Sequence, residues 1–141
     1  MTIFLGIVSF ISIFIISLVH FYWALGGRKW ANIVFPQFSG TDKPVFSAGN
    51  GATVLVAFIF LSFSGLVFLK TFPVVFRFSS HWIDLGIWMV AGLFLLRAIG
   101  EFKYVGFTKT IRDTTFAHYD TKIFTPLSLA IGLMVASIAL F

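Results

Sequence analysis

Four runs of apolar residues, about Ile3–Leu25, Gly51–Leu69, Trp82–Gly100 and Thr121–Phe141, take up more than half of a chain of 141 residues. Each is close to the roughly 20 helical residues that cross a hydrocarbon core about 30 Å thick. Little remains for a water-soluble domain. Hydrophobic residues make up 59 % of the chain and charged residues 11 %, with a mean hydropathy of +1.01, which excludes an ordinary soluble domain. The apolar residues come in blocks and do not alternate with polar ones, so the expected fold is all-α: an integral membrane four-helix bundle, up-down-up-down, forming a single transmembrane domain over residues 1–141.

The first run has no basic segment before it, exceeds a signal-peptide core, and leads into His20-Phe-Tyr-Trp-Ala24 without a small-residue cleavage site, so it reads as a retained helix. The connections after the first and third runs carry Arg28, Lys29, Lys43, Arg97, Lys103, Lys109, Arg112 and Lys122, whereas the connection after the second carries Lys70 and Arg77. By the positive-inside rule the basic connections face the cytoplasm and both termini lie outside. The formal charge of +5 is then an inner-face charge that suits topology and anionic lipid, and no nucleic-acid partner is expected. Without cysteine there is no disulfide framework and no thiolate metal site.

Local signals refine this frame. Ser9, Ser12 and Ser17 can each return a hydrogen bond to their own helix, and Gly26-Gly27 is a stop signal. The stretch Arg28–Ala48 mixes Trp30, Phe35, Phe38 and Phe46 with Pro36, Pro44, Gly40 and Asp42, which suits the membrane interface. Small residues form stripes at Thr53, Ala57 and Gly65, and at Ser128, Gly132 and Ala136; they serve close packing inside the chain or contact with a second copy. An outer turn spans Lys70–Arg77. The third helix enters through Ser79-Ser80-His81-Trp82-Ile83-Asp84, where a polar side chain can cap and Asp84 can complement the helix dipole. The last connection, Phe102–Tyr119, interleaves basic and aromatic residues and is expected on the inner leaflet. Pro126 falls near the start of the fourth helix; a start near Thr121 gives a full span with Pro126 as an early kink.

Alternating threading gathers His20, Trp23, Asn50, Arg97, Glu101, His118 and Asp120 at the inner end. Charged groups at the margin of a bilayer are costly unless paired, hydrated or functional. Arg97 and Glu101, at i and i+4, are expected on one helix face as an ion pair, which serves either as an anchor for the helix or as a ligand contact. Asp120 is a helix cap or an Arg97 partner. His20 and Glu101 are the candidates for proton transfer, while Trp23, Asn50, Arg97, Tyr104, His118 and Asp120 are the candidates for ligand binding. No phosphate loop, dinucleotide fingerprint, metalloprotease or nucleophile-elbow motif is present, and no metal or cofactor is expected. The first helix also lacks the deep carboxylate of small four-helix drug exporters, which leaves transport a minor alternative.

Three segments carry a family resemblance: His20-Phe-Tyr-Trp-Ala-Leu-Gly-Gly27, Arg97-Ala-Ile-Gly-Glu-Phe-Lys-Tyr-Val-Gly-Phe107 and Phe116-Ala-His-Tyr-Asp-Thr-Lys-Ile-Phe-Thr-Pro-Leu-Ser-Leu-Ala-Ile-Gly132. They resemble the DUF3995 family of small bacterial four-helix membrane proteins, over nearly the whole chain, through the patterns H-x-x-W-A-x-G-G, R-x-x-G-[DE]-x-[RK]-x-V-G-F and F-A-x-x-D-T-x-x-[YF]-x-P-L. The resemblance marks His20, Trp23, Gly26, Gly27, Arg97, Gly100, Glu101, Gly106, Asp120, Thr121 and Pro126. Glu101 stands where many members have Asp, and Phe124 where many have Tyr. The resemblance implies a fold, a bacterial cytoplasmic membrane and a site location; it implies no reaction.

Two functional expectations result. One is a cytoplasm-facing pocket, lined by His20, Trp23, Arg97, Glu101 and Asp120, that holds a small amphiphile or lipid headgroup, with or without acid/base chemistry. The other is a non-catalytic membrane subunit or homo-oligomer that docks through its small-residue faces.

Overall fold

The computed structural model describes residues 2–73 and 80–140. It contains α1 (Thr2–Ala24), a short α2 (Ala31–Val34), α3 (Asn50–Thr71), α4 (Ser80–Ile99) and α5 (Thr115–Tyr119); α5 runs through a π-helical turn at Asp120–Phe124 into α6 (Thr125–Leu140). Four helices are long and apolar enough to cross a membrane, the fourth being the whole of Thr115–Leu140. No strand forms among the described residues; one isolated bridge, Gln37 to Pro44, closes the loop between α2 and α3. Most of the outer turn expected at Lys70–Arg77, and the Ser79 cap, lie outside the described residues.

The closest pairings are α1 with α3 and α4 with α6, and contacts of α3 with α4 and α1 with α6 close the ring. Neighbours run antiparallel. The Ser17 hydroxyl donates to the Ala57 carbonyl at 2.8 Å, while Gly6, near the start of α1, faces Thr71 at the end of α3. Lys70 Nζ pairs with Asp84 at 2.8 Å, tying the end of α3 to the start of α4. Asp84 thus links two helices, where the sequence suggested a partner for the helix dipole.

Between the helices lies a core that includes Ile13, Val67, Ile87, Val90, Phe94, Ile131 and Val135, whereas Phe4, Leu55, Trp88 and Leu133 point outward, as a lipid-facing surface requires. In lipid, shape fit between helices replaces hydrophobic drive. The small residues serve that fit inside the chain: Ala57 is fully buried under Ser17, and a Cβ on Gly132 would come within 2.9 Å of the Leu95 side chain and 3.1 Å of its backbone nitrogen. Gly65 has no such neighbour. Of the three serines in α1, only Ser12 bonds back along its own helix, to Val8, since Ser17 crosses to α3 and the buried Ser9 hydroxyl has no partner among the described residues.

Two helix ends shape the polar end of the bundle. At α1, Gly26 adopts φ 93°, with Gly26 N–H donating to Trp23 and Gly27 N–H to Tyr22, the two bonds of a glycine-terminated helix. The fourth span begins at Thr115, earlier than Thr121, because Thr114 caps it by accepting from the Ala117 amide at 3.1 Å. Its π turn sits just before Pro126. A proline cannot donate to the preceding turn and crowds the carbonyl four residues back, and the wider turn, in which Thr125 N–H reaches Asp120 C=O, absorbs the mismatch.

Candidate functional site

After Ile99 the chain turns sharply at Gly100, φ 89°, and folds back over the end of α4. Phe107 N–H then donates to Ala98 and Thr108 N–H to Ile99, satisfying carbonyls that the end of a helix leaves free. The turn requires glycine twice: a Cβ on Gly100 would lie 1.7 Å from the Val105 oxygen, and one on Gly106, φ 84°, would lie 2.4 Å from the Ile99 oxygen.

Within this fold Asp120 is fully buried and accepts four hydrogen bonds. Arg97 Nη2 reaches Oδ1 at 2.6 Å; Gly106 N–H and Lys109 Nζ reach Oδ2 at 2.9 Å, and the Thr125 hydroxyl reaches it at 3.0 Å. Lys109 also donates to the Gly106 carbonyl at 2.9 Å. Its side chain is 3 % exposed. One carboxylate thereby joins α4, the loop after it and the fourth span, and it balances one of two cations. The guanidinium uses a single ion pair, and its buried Nη1 has no acceptor among the described residues.

The expected Arg97–Glu101 ion pair does not form. Spacing of i and i+4 brings side chains together only while the helix continues, and α4 has ended by Ile99. Glu101 is exposed and its Oε1 accepts from the Tyr104 backbone amide instead. Nor is Asp120 a simple cap: it lies inside a continuous helical span and faces Arg97 and Lys109.

Beside the buried carboxylate lies an open hollow of about 350 Å³. The end of α2 and the loop after it supply Val34, Pro36, Val45 and Phe46 to its wall; Arg97, Glu101, Tyr104, Val105 and Phe116 complete it. Gln37 fixes the two sides. Its side chain, in a residue only 4 % exposed, accepts from Phe116 N–H at 3.1 Å and donates to Asn32 C=O at 3.3 Å. Farther out, Asp113 accepts from the Ser39 hydroxyl at 2.6 Å and the Gly40 amide at 2.8 Å, bonds that hold its carboxyl below the usual range, the Ser39 bond most strongly.

The remaining candidates lie elsewhere. His20 is turned onto its own helix, Nδ1 2.8 Å from the Ile16 carbonyl, with its ring against Trp23 and Phe60. Trp23 Nε1 donates to Lys29 C=O at 2.8 Å, steadying the turn at the end of α1. Asn50 opens α3 at the surface, and His118 is exposed. The eight candidates therefore do not form one nest: Arg97, Glu101 and Tyr104 line the hollow, Asp120 holds Arg97 from behind, and His20 and Trp23 form a separate aromatic contact. Sequence reasoning missed Lys109, Thr125 and Gln37, whereas the family pattern marks Gly106. Nothing in the local sequence separates Lys109 from the other basic residues of its loop.

The sequence model for a protein of unknown function, DUF3995, matches residues 13–135. The chain belongs to the DUF3995 family. That match covers α1 from Ile13 onward, both polar loops, the buried carboxylate and most of α6. No curated protein and no solved structure matches this DUF3995 chain.

Proposed function

We propose that this DUF3995 chain is a multi-pass protein of the bacterial cytoplasmic membrane, its polar end toward the cytoplasm, that holds the charged head of a membrane amphiphile in the hollow beside Arg97. The observation that carries this reading is the guanidinium itself. Arg97 has one carboxylate contact, a terminal nitrogen without a protein acceptor among the described residues, and a place in the wall of an otherwise mostly apolar hollow. A buried donor left unsatisfied is costly, and the cluster behind it carries two cations against one carboxylate. An anionic head at the guanidinium, whose side chain is one-third exposed, offsets that excess of charge, while Val34, Val45 and Phe46 suit an acyl chain.

In this reading Asp120 orients Arg97 and Arg97 binds the anionic group. His20 does not line the hollow and its Nδ1 is occupied, so binding, not proton transfer, is the activity the geometry favours. Gly132, in the small-residue stripe of α6, packs against Leu95 of α4, which gives the docking-subunit alternative less to stand on.

The test is native mass spectrometry of the purified, delipidated protein with dihexanoyl phospholipids added back. One molecule per chain is expected to bind. Val34→Trp, which fills the hollow from a position that bonds to no member of the Asp120 cluster, should weaken binding about tenfold or more while the helix content stays unchanged, because losing a well-placed charged contact is worth about one factor of ten. Wild-type affinity in Val34→Trp, or no binding by the wild type, refutes the proposal.

A further inference from the structure

Arg97 and Glu101 line the same hollow with opposite charges that do not neutralise each other. The positive Gly100 φ ends α4 between them and separates side chains that a continuing helix would have paired. The Arg97 head is held by Asp120 from behind; the Glu101 carboxylate is anchored through one oxygen on the Tyr104 amide, and its other oxygen has no protein donor among the described residues. The two charges are thus fixed by separate parts of the backbone, on one surface.

Resting on the reading of the hollow as a headgroup site, we propose that the headgroup is zwitterionic, a phosphate bearing a primary ammonium, as in an ethanolamine phospholipid. The phosphate faces Arg97 and the ammonium faces Glu101. A purely anionic head gains Arg97 but meets Glu101 as a like charge, whereas an added ammonium turns that repulsion into a charge-assisted hydrogen bond. A primary ammonium also fits better than a quaternary one. Glu101 offers a carboxylate oxygen, which needs an N–H donor.

The experiment measures dissociation constants of the full-length protein in detergent for dihexanoyl phosphatidylethanolamine, phosphatidylglycerol and phosphatidylcholine. Chain length is constant, so differences report the head. The ethanolamine lipid is expected to bind about tenfold tighter than either of the others, the factor associated with one charge-assisted contact. Glu101→Gln keeps an oxygen for the Tyr104 amide and loses the charge. It should abolish the preference by weakening the ethanolamine lipid and improving the glycerol lipid. Equal wild-type affinities, or a preference that survives Glu101→Gln, overturn the zwitterionic assignment while leaving the amphiphile site standing. Failure of all three lipids to bind removes both.

Discussion

Replacing Asp120 by Asn preserves the shape of the side chain and removes its charge, and burial sets the cost of that loss. Asp120 is fully buried and the Lys109 side chain is 3 % exposed, so that ammonium has neither water nor a second counter-ion to turn to among the described residues. Arg97, a third exposed, keeps some access to its surroundings and contributes less. Removing one partner of a buried ion pair costs about 3–5 kcal/mol, because the other charge stays behind. That is a large share of a usual folding stability of about 5–15 kcal/mol. The amide of Asn also turns one acceptor oxygen into a donor, facing groups that already donate.

A second substitution separates charge from shape. Lys109→Met removes the stranded ammonium, and buried ion pairs replaced by apolar groups are often no less stable. Asp120→Asn with Lys109→Met is therefore expected to unfold later than Asp120→Asn alone, by about 1–2 kcal/mol or more. Reversible unfolding in mixed micelles, monitored by tryptophan fluorescence and circular dichroism, measures both quantities. A loss below about 1 kcal/mol in Asp120→Asn, or a double variant no better than the single, refutes the description of this cluster as a buried charge network.

Two other outcomes test the frame around the site. Because the chain has no cysteine, Asp42→Cys gives a single label site in the loop after α1; a membrane-impermeant maleimide should modify it in inverted vesicles and not in intact cells, and labelling from outside would reverse the proposed orientation. Gly132→Leu should destabilise the chain by about 1–3 kcal/mol through overpacking against Leu95, with the native mass unchanged; a change of oligomeric mass at full stability would return that face to the docking reading.

The spans were readable because a bilayer makes length and hydropathy nearly sufficient, and α1, α3 and α4 differ from expectation by one to two residues at each end. The fourth span was misplaced for a specific reason. Thr115–Phe124 is polar enough to resemble a loop, yet it is helical, since Thr114 caps it, Gln37 takes the Phe116 amide and Asp120 neutralises cations brought by another segment. Thr114 is a local signal, but Gln37 lies 79 residues from Phe116 and Arg97 23 from Asp120, beyond a local reading. The Arg97–Asp120 contact was legible as an alternative because both residues close apolar runs at the same end. The Arg97–Glu101 pair was legible and wrong, although Gly100 between them carried the corrective signal: glycine after a helix marks its stop.

Lys109 shows where local reading ends. Whether a basic loop residue is solvated or buried depends on how the loop closes, and here closure depends on Gly100 and Gly106, at positive φ, wrapping the chain over the end of α4. Once that wrap exists, Lys109 and the Gly106 amide arrive together at one carboxylate oxygen. The family patterns join the same positions, Arg97, Gly100, Gly106 and Asp120, which the fold gathers into one knot. A residue in that knot supports structure and site together, so loss of function there does not distinguish them. Val34 and Glu101 do: they reach the hollow without bonding to the carboxylate, and their variants separate a protein that has lost its ligand from one that has lost its fold.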